Sequence, residues 1–128
     1  MTPFGSRVRE LRRLKGVTQK QMALALGVSP AWLSALEKGT RGRPSWDFVQ
    51  RVIGYFNVIW DDADELLELA RISHPRIVVD TARLAPEATE FANLVAENIN
   101  RLSRDDLAEL IHQVKLRSSR KDRPIAGK

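Results

Sequence analysis

The sequence predicts an all-α chain: five short helices, an irregular stretch, then a C-terminal two-helix extension. Three observations carry this prediction. Apolar residues recur at three- and four-residue steps over nearly the whole length. Helix-starting Thr18, Ser29, Ser45 and Ser103 are interleaved with the helix-ending glycines Gly16, Gly27 and Gly39. One segment, HPRIVVDTARLA at 74–85, breaks the pattern. A chain of 128 residues suits one compact domain with a small appendage, large enough to fold without disulfides or metals.

Phe4, Val8, Leu11 and Leu14 define an apolar face over 4–15, with arginines on the wet side. Gly16 stops this helix. Thr18 with Gln21 is a capping-box start, and Met22, Ala23 and Leu26 form the inner side of helix two, which Gly27 ends in a left-handed conformation. Ser29 caps helix three, with Pro30 at the first helical position, where its missing N–H costs nothing. Leu33 and Leu36 face inward until Gly39.

After the loop TRGRP, Ser45 caps a fourth helix burying Phe48, Val49, Val52, Ile53 and Phe56. Asp61 or Asp62 opens a fifth with Leu66, Leu67, Leu69 and Ala70 apolar, its early acids suiting the positive helix start. Ile77-Val78-Val79 is either a short strand or a hydrophobic linker. Pro86 starts a sixth helix with Phe91, Ala92, Val95, Ile99 and Leu102 in one stripe. Ser103 and Asp106 form a second capping box ahead of Leu107, Leu110, Ile111 and Val114. The boundaries follow: a domain over 1–73, a linker or strand at 74–85, a helical dimerisation or partner region at 86–117, and a basic tail at 118–128 expected to be disordered.

Charge is segregated along the chain. Residues 1–60 carry ten Lys/Arg against three Asp/Glu, residues 61–115 six against twelve, and residues 116–128 five against one. A basic front beside an acidic second half points to a polyanion-binding face at the front.

Several function classes find no support. There is no cysteine for thiol chemistry, which fits a reducing cytosol. No apolar run approaches the roughly 20 residues a membrane span needs. MTPFGSRVRE lacks a signal-peptide core, so a cytoplasmic protein is expected. His74 and His112 lie apart without metal-ligand spacing, so neither metal nor cofactor is expected. No Gly-rich phosphate loop or nucleophile elbow occurs, and 74–128 is too short and helical for a self-cleaving Ser/Lys protease domain. An enzyme is not expected.

Two helices of about nine residues joined by a tight Gly-containing turn are a helix-turn-helix. Helices this short must be held by their neighbours. The arrangement lets the second helix project into a major groove while the first crosses the phosphate backbone. With Thr18-Gln19, Ala23, Gly27-Val28-Ser29, Leu33-Ser34, Glu37, Gly39 and Pro44-Ser45 in this order, residues 4–73 resemble the Cro- and phage-repressor-type helix-turn-helix family, also called the XRE family. The resemblance implies a five-helix lambda-repressor-like DNA-binding domain, usually dimeric, that regulates transcription.

Position by position, the resemblance places Gln19 on a phosphate and Ser29 on backbone near the bases. It makes Arg12 and Glu37 a structural pair bridging helices one and three, and puts Arg41 and Arg43 in a loop on the phosphate backbone. The expected DNA-binding set is Thr18, Gln19, Lys20, Ser29, Ala31, Trp32, Ser34, Ala35, Lys38, Thr40, Arg41 and Arg43. The family's base-reading positions fall on Pro30, Ala31 and Ala35, none of which can hydrogen-bond a base edge. Reading then leans on thymine methyls, on Trp32, Ser34 and Lys38, and on DNA shape, which implies a degenerate or deformability-dependent operator.

Each reading has a plainer rival. Trp32 either touches DNA or edges the core beside Leu33. Trp46 either meets phosphate or lids the core. Arg7, Arg9 and Arg13 fit a solvated face, as does the acidic cluster Asp61, Asp62, Asp64, Glu65 and Glu68, whose rival role is contact with an activating partner. Phe91, Val95, Ile99 and Leu102, with Leu107, Leu110 and Ile111, form either intrachain core or a two-fold dimer interface, and half-sites about 34 Å apart need two readers. The expectation is a homodimeric repressor on palindromic double-stranded DNA. The alternative is an antitoxin whose C-terminal helices mask a toxin; an anti-repressor competing for those helices stands behind it.

Overall fold

The computed structural model describes residues 1–40 and 42–119. It forms seven α-helices among the described residues: α1 (Pro3–Lys15), α2 (Gln19–Leu26), α3 (Pro30–Lys38), α4 (Trp46–Tyr55), α5 (Trp60–Arg71), α6 (Pro86–Asn98) and α7 (Arg104–Ser118), with a 3₁₀ turn at Ile99–Arg101 between the last two. The chain divides into two compact units, Met1–Ile77 and a second beginning at Val78.

In the first unit, α1 packs on α3 and α5, α2 on α3 and α4, and α4 on α5. The core they enclose is Phe4, Val8, Met22, Ala23, Leu26, Leu33, Leu36, Phe48, Val49, Val52, Leu66 and Ala70. Each fully buried large side chain stabilises the unit by roughly 1.5–3 kcal/mol. Local capping is as the sequence predicts. Thr18 and Gln21 close a capping box, Ser29 accepts from the Trp32 N–H, and Ser45 accepts from the Phe48 N–H. Gly16, Gly27 and Gly39 all take the left-handed conformation at helix ends.

Two glycines also permit close approach. A Cβ on Gly5 would lie 2.6 Å from the Leu36 carbonyl oxygen, so α1 reaches the end of α3 only because residue 5 has no side chain. At Gly39 the same atom would meet the Thr2 backbone nitrogen at 2.7 Å. The start of α1 is further pinned by Ser73, which is buried and whose Oγ accepts the Phe4 N–H at 2.9 Å and donates to the Leu69 carbonyl.

Several expectations are corrected. Leu14 is 75% exposed. Two successive three-residue steps from Val8 each fall roughly 60° short of a full turn and carry it off the apolar face. Ile53, Phe56, Leu67 and Leu69 only flank the core. Neither Asp61 nor Asp62 opens α5: it starts at Trp60 after an Ile59 that has no polar side chain to cap it, and both acids sit in the first turn. Asn57 and Trp60 both take positive φ, at 53° and 52°, where the chain reverses between α4 and α5.

Residues 77–79, where the two units meet in the sequence, form no strand and carry no regular structure. The predicted sixth helix ends at Asn98, so Ile99 lies in the 3₁₀ turn and Leu102 caps it, off the α-helical stripe. Ser103 and Asp106 form the second capping box. Helix α7 runs to Ser118, the first residue assigned to the tail, and 120–128 lie outside the described residues.

Candidate nucleic-acid interface

The turn between α2 and α3 is made by three residues. Gly27 at φ 73° donates its N–H back to the carbonyls of Ala23 and Leu24. Val28 donates to the Ala23 carbonyl at 3.0 Å, and Ser29 starts the next helix. This Schellman-type closure satisfies the last carbonyls of α2 within the turn. The Arg51 guanidinium adds a bond to the Leu26 carbonyl at 3.2 Å.

Helix α3 is held from inside. Leu33, Leu36 and Glu37 are buried, whereas Pro30, Ala31 and Lys38 are exposed and Trp32, Ser34 and Ala35 half-buried. Glu37 is 2% exposed, and its charge is met by three donors at 3.0 Å: Arg12 Nε and Nη2 on both oxygens, and the Gln19 amide on Oε1. A buried carboxylate is tolerable only when so paired. The predicted Arg12–Glu37 bridge is therefore present as a fork, and it ties α1, α2 and α3 together. A further clasp, Lys15, donates to the Tyr55 carbonyl at 2.9 Å and lies 4.5 Å from the Tyr55 ring centre.

The remaining expected residues fall as follows. Thr18, Lys20, Ser29, Thr40 and Arg43 are exposed, and Thr40 Oγ1 donates to the Ala35 carbonyl at 3.2 Å. Gln19 is half-buried, with its amide nitrogen engaged by Glu37. Arg41 lies outside the described residues. Trp32 meets Phe48 edge-on at 4.7 Å between ring centres, so it edges the core. Trp46, 67% exposed, does not lid the core. Sequence reasoning missed Gln19 as a partner of Glu37, Arg51 on the end of α2, the Lys15 clasp and Ser73. No local pattern marks Arg51, because the Leu26 carbonyl it meets lies 25 residues away in the sequence.

Of the expected dimerisation residues, Phe91, Ile99, Leu110 and Ile111 are exposed and Val95, Leu102 and Leu107 half-buried. Of the acidic cluster, all five carboxylates are exposed; Glu68 pairs with Arg71, whose pKa is raised above its ordinary value by that hydrogen bond first and by the carboxylate's charge second. Among the described residues no group of three or more His, Cys, Asp or Glu is placed to hold a metal, and no helix is long and apolar enough to cross a membrane.

A family model described as helix-turn-helix domain matches residues 3–74. The chain belongs to this family. Two relatives from Bacillus subtilis (strain 168) are each described as an uncharacterized HTH-type transcriptional regulator. RghRB is 36% identical over 62 residues, covering 48% of this chain and 45% of the relative. YazB is 41% identical over 63 residues, covering 49% of this chain and 86% of the relative. The chain thus spans less than half the length of the first and most of the second. A solved structure titled SinR protein/SinI protein complex aligns with a TM-score of 0.45 at 22% identity over 91% of this chain and 99% of that one; so slight a likeness carries no weight. In this helix-turn-helix protein the matched family range, 3–74, ends before the second unit begins at Val78.

Proposed function

We propose that this helix-turn-helix protein is a sequence-specific double-stranded DNA-binding transcriptional regulator, acting as a homodimeric repressor on a palindromic operator. The observation that carries the reading is the split of α3: its inner side is locked by Leu33, Leu36 and the buried Glu37, while Ala31 and Lys38 face outward. A helix held this firmly can enter a major groove without reorganising. Lys20, Lys38 and Arg43 supply exposed positive charge around it, and Ser29 and Thr18 exposed hydroxyls. The family resemblance assigns Arg41 to the same role. Gln19 serves the interface by orienting Glu37 and, through its remaining atoms, by lying near a phosphate.

Base reading on Ala31, with half-buried Ser34 and Ala35 beside it, is dominated by apolar contact and DNA shape. A degenerate operator follows. Selection of bound duplexes from a random pool tests this directly. The expected winners are palindromes with half-sites about 34 Å apart and tolerance of single base changes. Enrichment of no sequence, or stringent base-by-base discrimination, would overturn the corresponding part of the reading.

The dimer is assigned to the second unit, through Phe91, Val95, Ile99, Leu102, Leu107, Leu110 and Ile111. What supports this is that no described residue from Val78 on is buried, although the unit is rich in apolar side chains. The same observation favours a second reading, in which a toxin or an anti-repressor covers these helices. Expression alone separates them: a stable dimer in solution supports the first, and a chain that is monomeric until a partner is supplied supports the second.

A further inference from the structure

The segment R-I-V-V-D at 76–80 makes no backbone hydrogen bond among the described residues, and its apolar members are bare: Ile77 is 71%, Val78 96% and Val79 61% exposed. Three consecutive β-branched residues are strong strand formers and poor linker material. Here that propensity is unspent within one chain. Pro75, just before the segment, lacks an N–H and is tolerated where a strand starts.

We propose that residues 76–80 pair antiparallel with the same segment of a second copy, centred on Val78, so that the dimer is fastened by a two-stranded ribbon. The proposal rests on the homodimer reading and adds an interface to it. The register follows from the residues. Centring on Val78 sets Val78 opposite its own copy and Ile77 opposite the other copy's Val79. It also sets Arg76 opposite the other copy's Asp80, at both ends at once. Directly opposed residues share a face in such a pair, and opposite charges there are stabilising. One face of the ribbon then carries four β-branched side chains, and the other carries the two valines between two ion pairs. Shifting the register by one residue breaks the match of Arg76 to Asp80. Within one copy, among the described residues, neither Arg76 nor Asp80 has an ion-pair partner, and Asp80 only accepts the Ala82 N–H in its own turn. Self-complementarity of both shape and charge is what favours a second copy over a foreign strand.

The 128-residue chain, which has no native cysteine, permits a clean test. Opposed residues in an antiparallel pair lie about 4.5 or 5.5 Å apart between Cα atoms, within the span of a disulfide. Val78→Cys should cross-link quantitatively under mild oxidation, while Leu24→Cys, also largely bare at 84% exposed, should not. Arg76→Asp should weaken self-association about tenfold, as should Asp80→Arg. The double change Arg76→Asp with Asp80→Arg should restore it, because the swapped charges face each other again. A Val78→Cys dimer whose introduced thiols remain unlinked, whether reactive or unreactive toward a maleimide, overturns the ribbon and leaves the homodimer standing. Failure of the double change to rescue does the same. A chain that is monomeric at every concentration overturns the homodimer reading and the ribbon with it.

Discussion

The two units of this chain differ most in what they bury. Among its described residues, Met1–Ile77 hides twelve apolar side chains, a charged Glu37 and a hydroxyl at Ser73. From Val78 on, no described residue is buried, and Phe91, Leu94, Ile99, Leu110, Ile111, Val114 and Leu116 are exposed. Yet the N-terminus of α7 is capped as well as that of α2, by a complete box at Ser103 and Asp106. Good capping and good burial are therefore separate achievements. Caps act within four residues, whereas a helix in water draws most of its stability from packing. The first unit has a core of its own, whereas the described residues of the second form helices without one.

Leu33→Ala should destabilise the first unit by about 2–5 kcal/mol in chemical denaturation, because Leu33 is fully buried beneath the outward face of α3. A cost under about 1 kcal/mol would mean that this core is far looser than its burial implies. Gly5→Ala should cost about 1–3 kcal/mol, since the new methyl meets backbone at Leu36 and Glu37 that cannot swing aside. A circular-dichroism melt that is unchanged would show that α1 and α3 can part freely.

Phe91→Ala with Ile111→Ala makes the opposite prediction. Removing two exposed side chains should alter the melt of the first unit by no more than about 0.5 kcal/mol, while sedimentation should show self-association weakened at least about tenfold. The reverse outcome would mean that the second unit supports the first. Truncation after Ile77 sharpens the same point: the fragment should fold and remain monomeric, with much weaker binding to a selected operator. Smallest for stability is Arg43→Ala, an exposed loop residue. It should leave the melt unchanged, weaken all duplexes alike, and reduce the slope of log affinity against log salt by about 1.

Much of the site is legible in the sequence. The capping residues, the turn at Gly27, the inward Leu33 and Leu36, and the Arg12–Glu37 pairing are all visible in residue type, spacing and family pattern. Less visible is how each side chain divides between jobs. Trp32 edges onto Phe48, and the Gln19 amide nitrogen is held by Glu37. In both cases a position on an outward-facing helix suggests a free side chain, and a neighbour distant in sequence claims it. Leu14 departs from expectation for a simpler reason: apolar recurrence continues one step beyond the point where the helix has rotated away from its neighbours.

Sequence by itself determined where α1 ends, where α2 and α3 start and stop, and where α4 and α7 start, because a cap hydrogen bond and a left-handed glycine involve residues only three or four apart. It also determined that α3 would have one apolar side and one side fit to meet a partner. Tertiary structure decided what each helix is fastened to. The Gln19–Glu37 bond spans 18 residues and the Phe4–Ser73 bond 69, and the clearance at Gly5 exists only once α3 has arrived beside α1. Such contacts have no local signature, since the energy that makes them appears only when the chain has already brought its distant parts together.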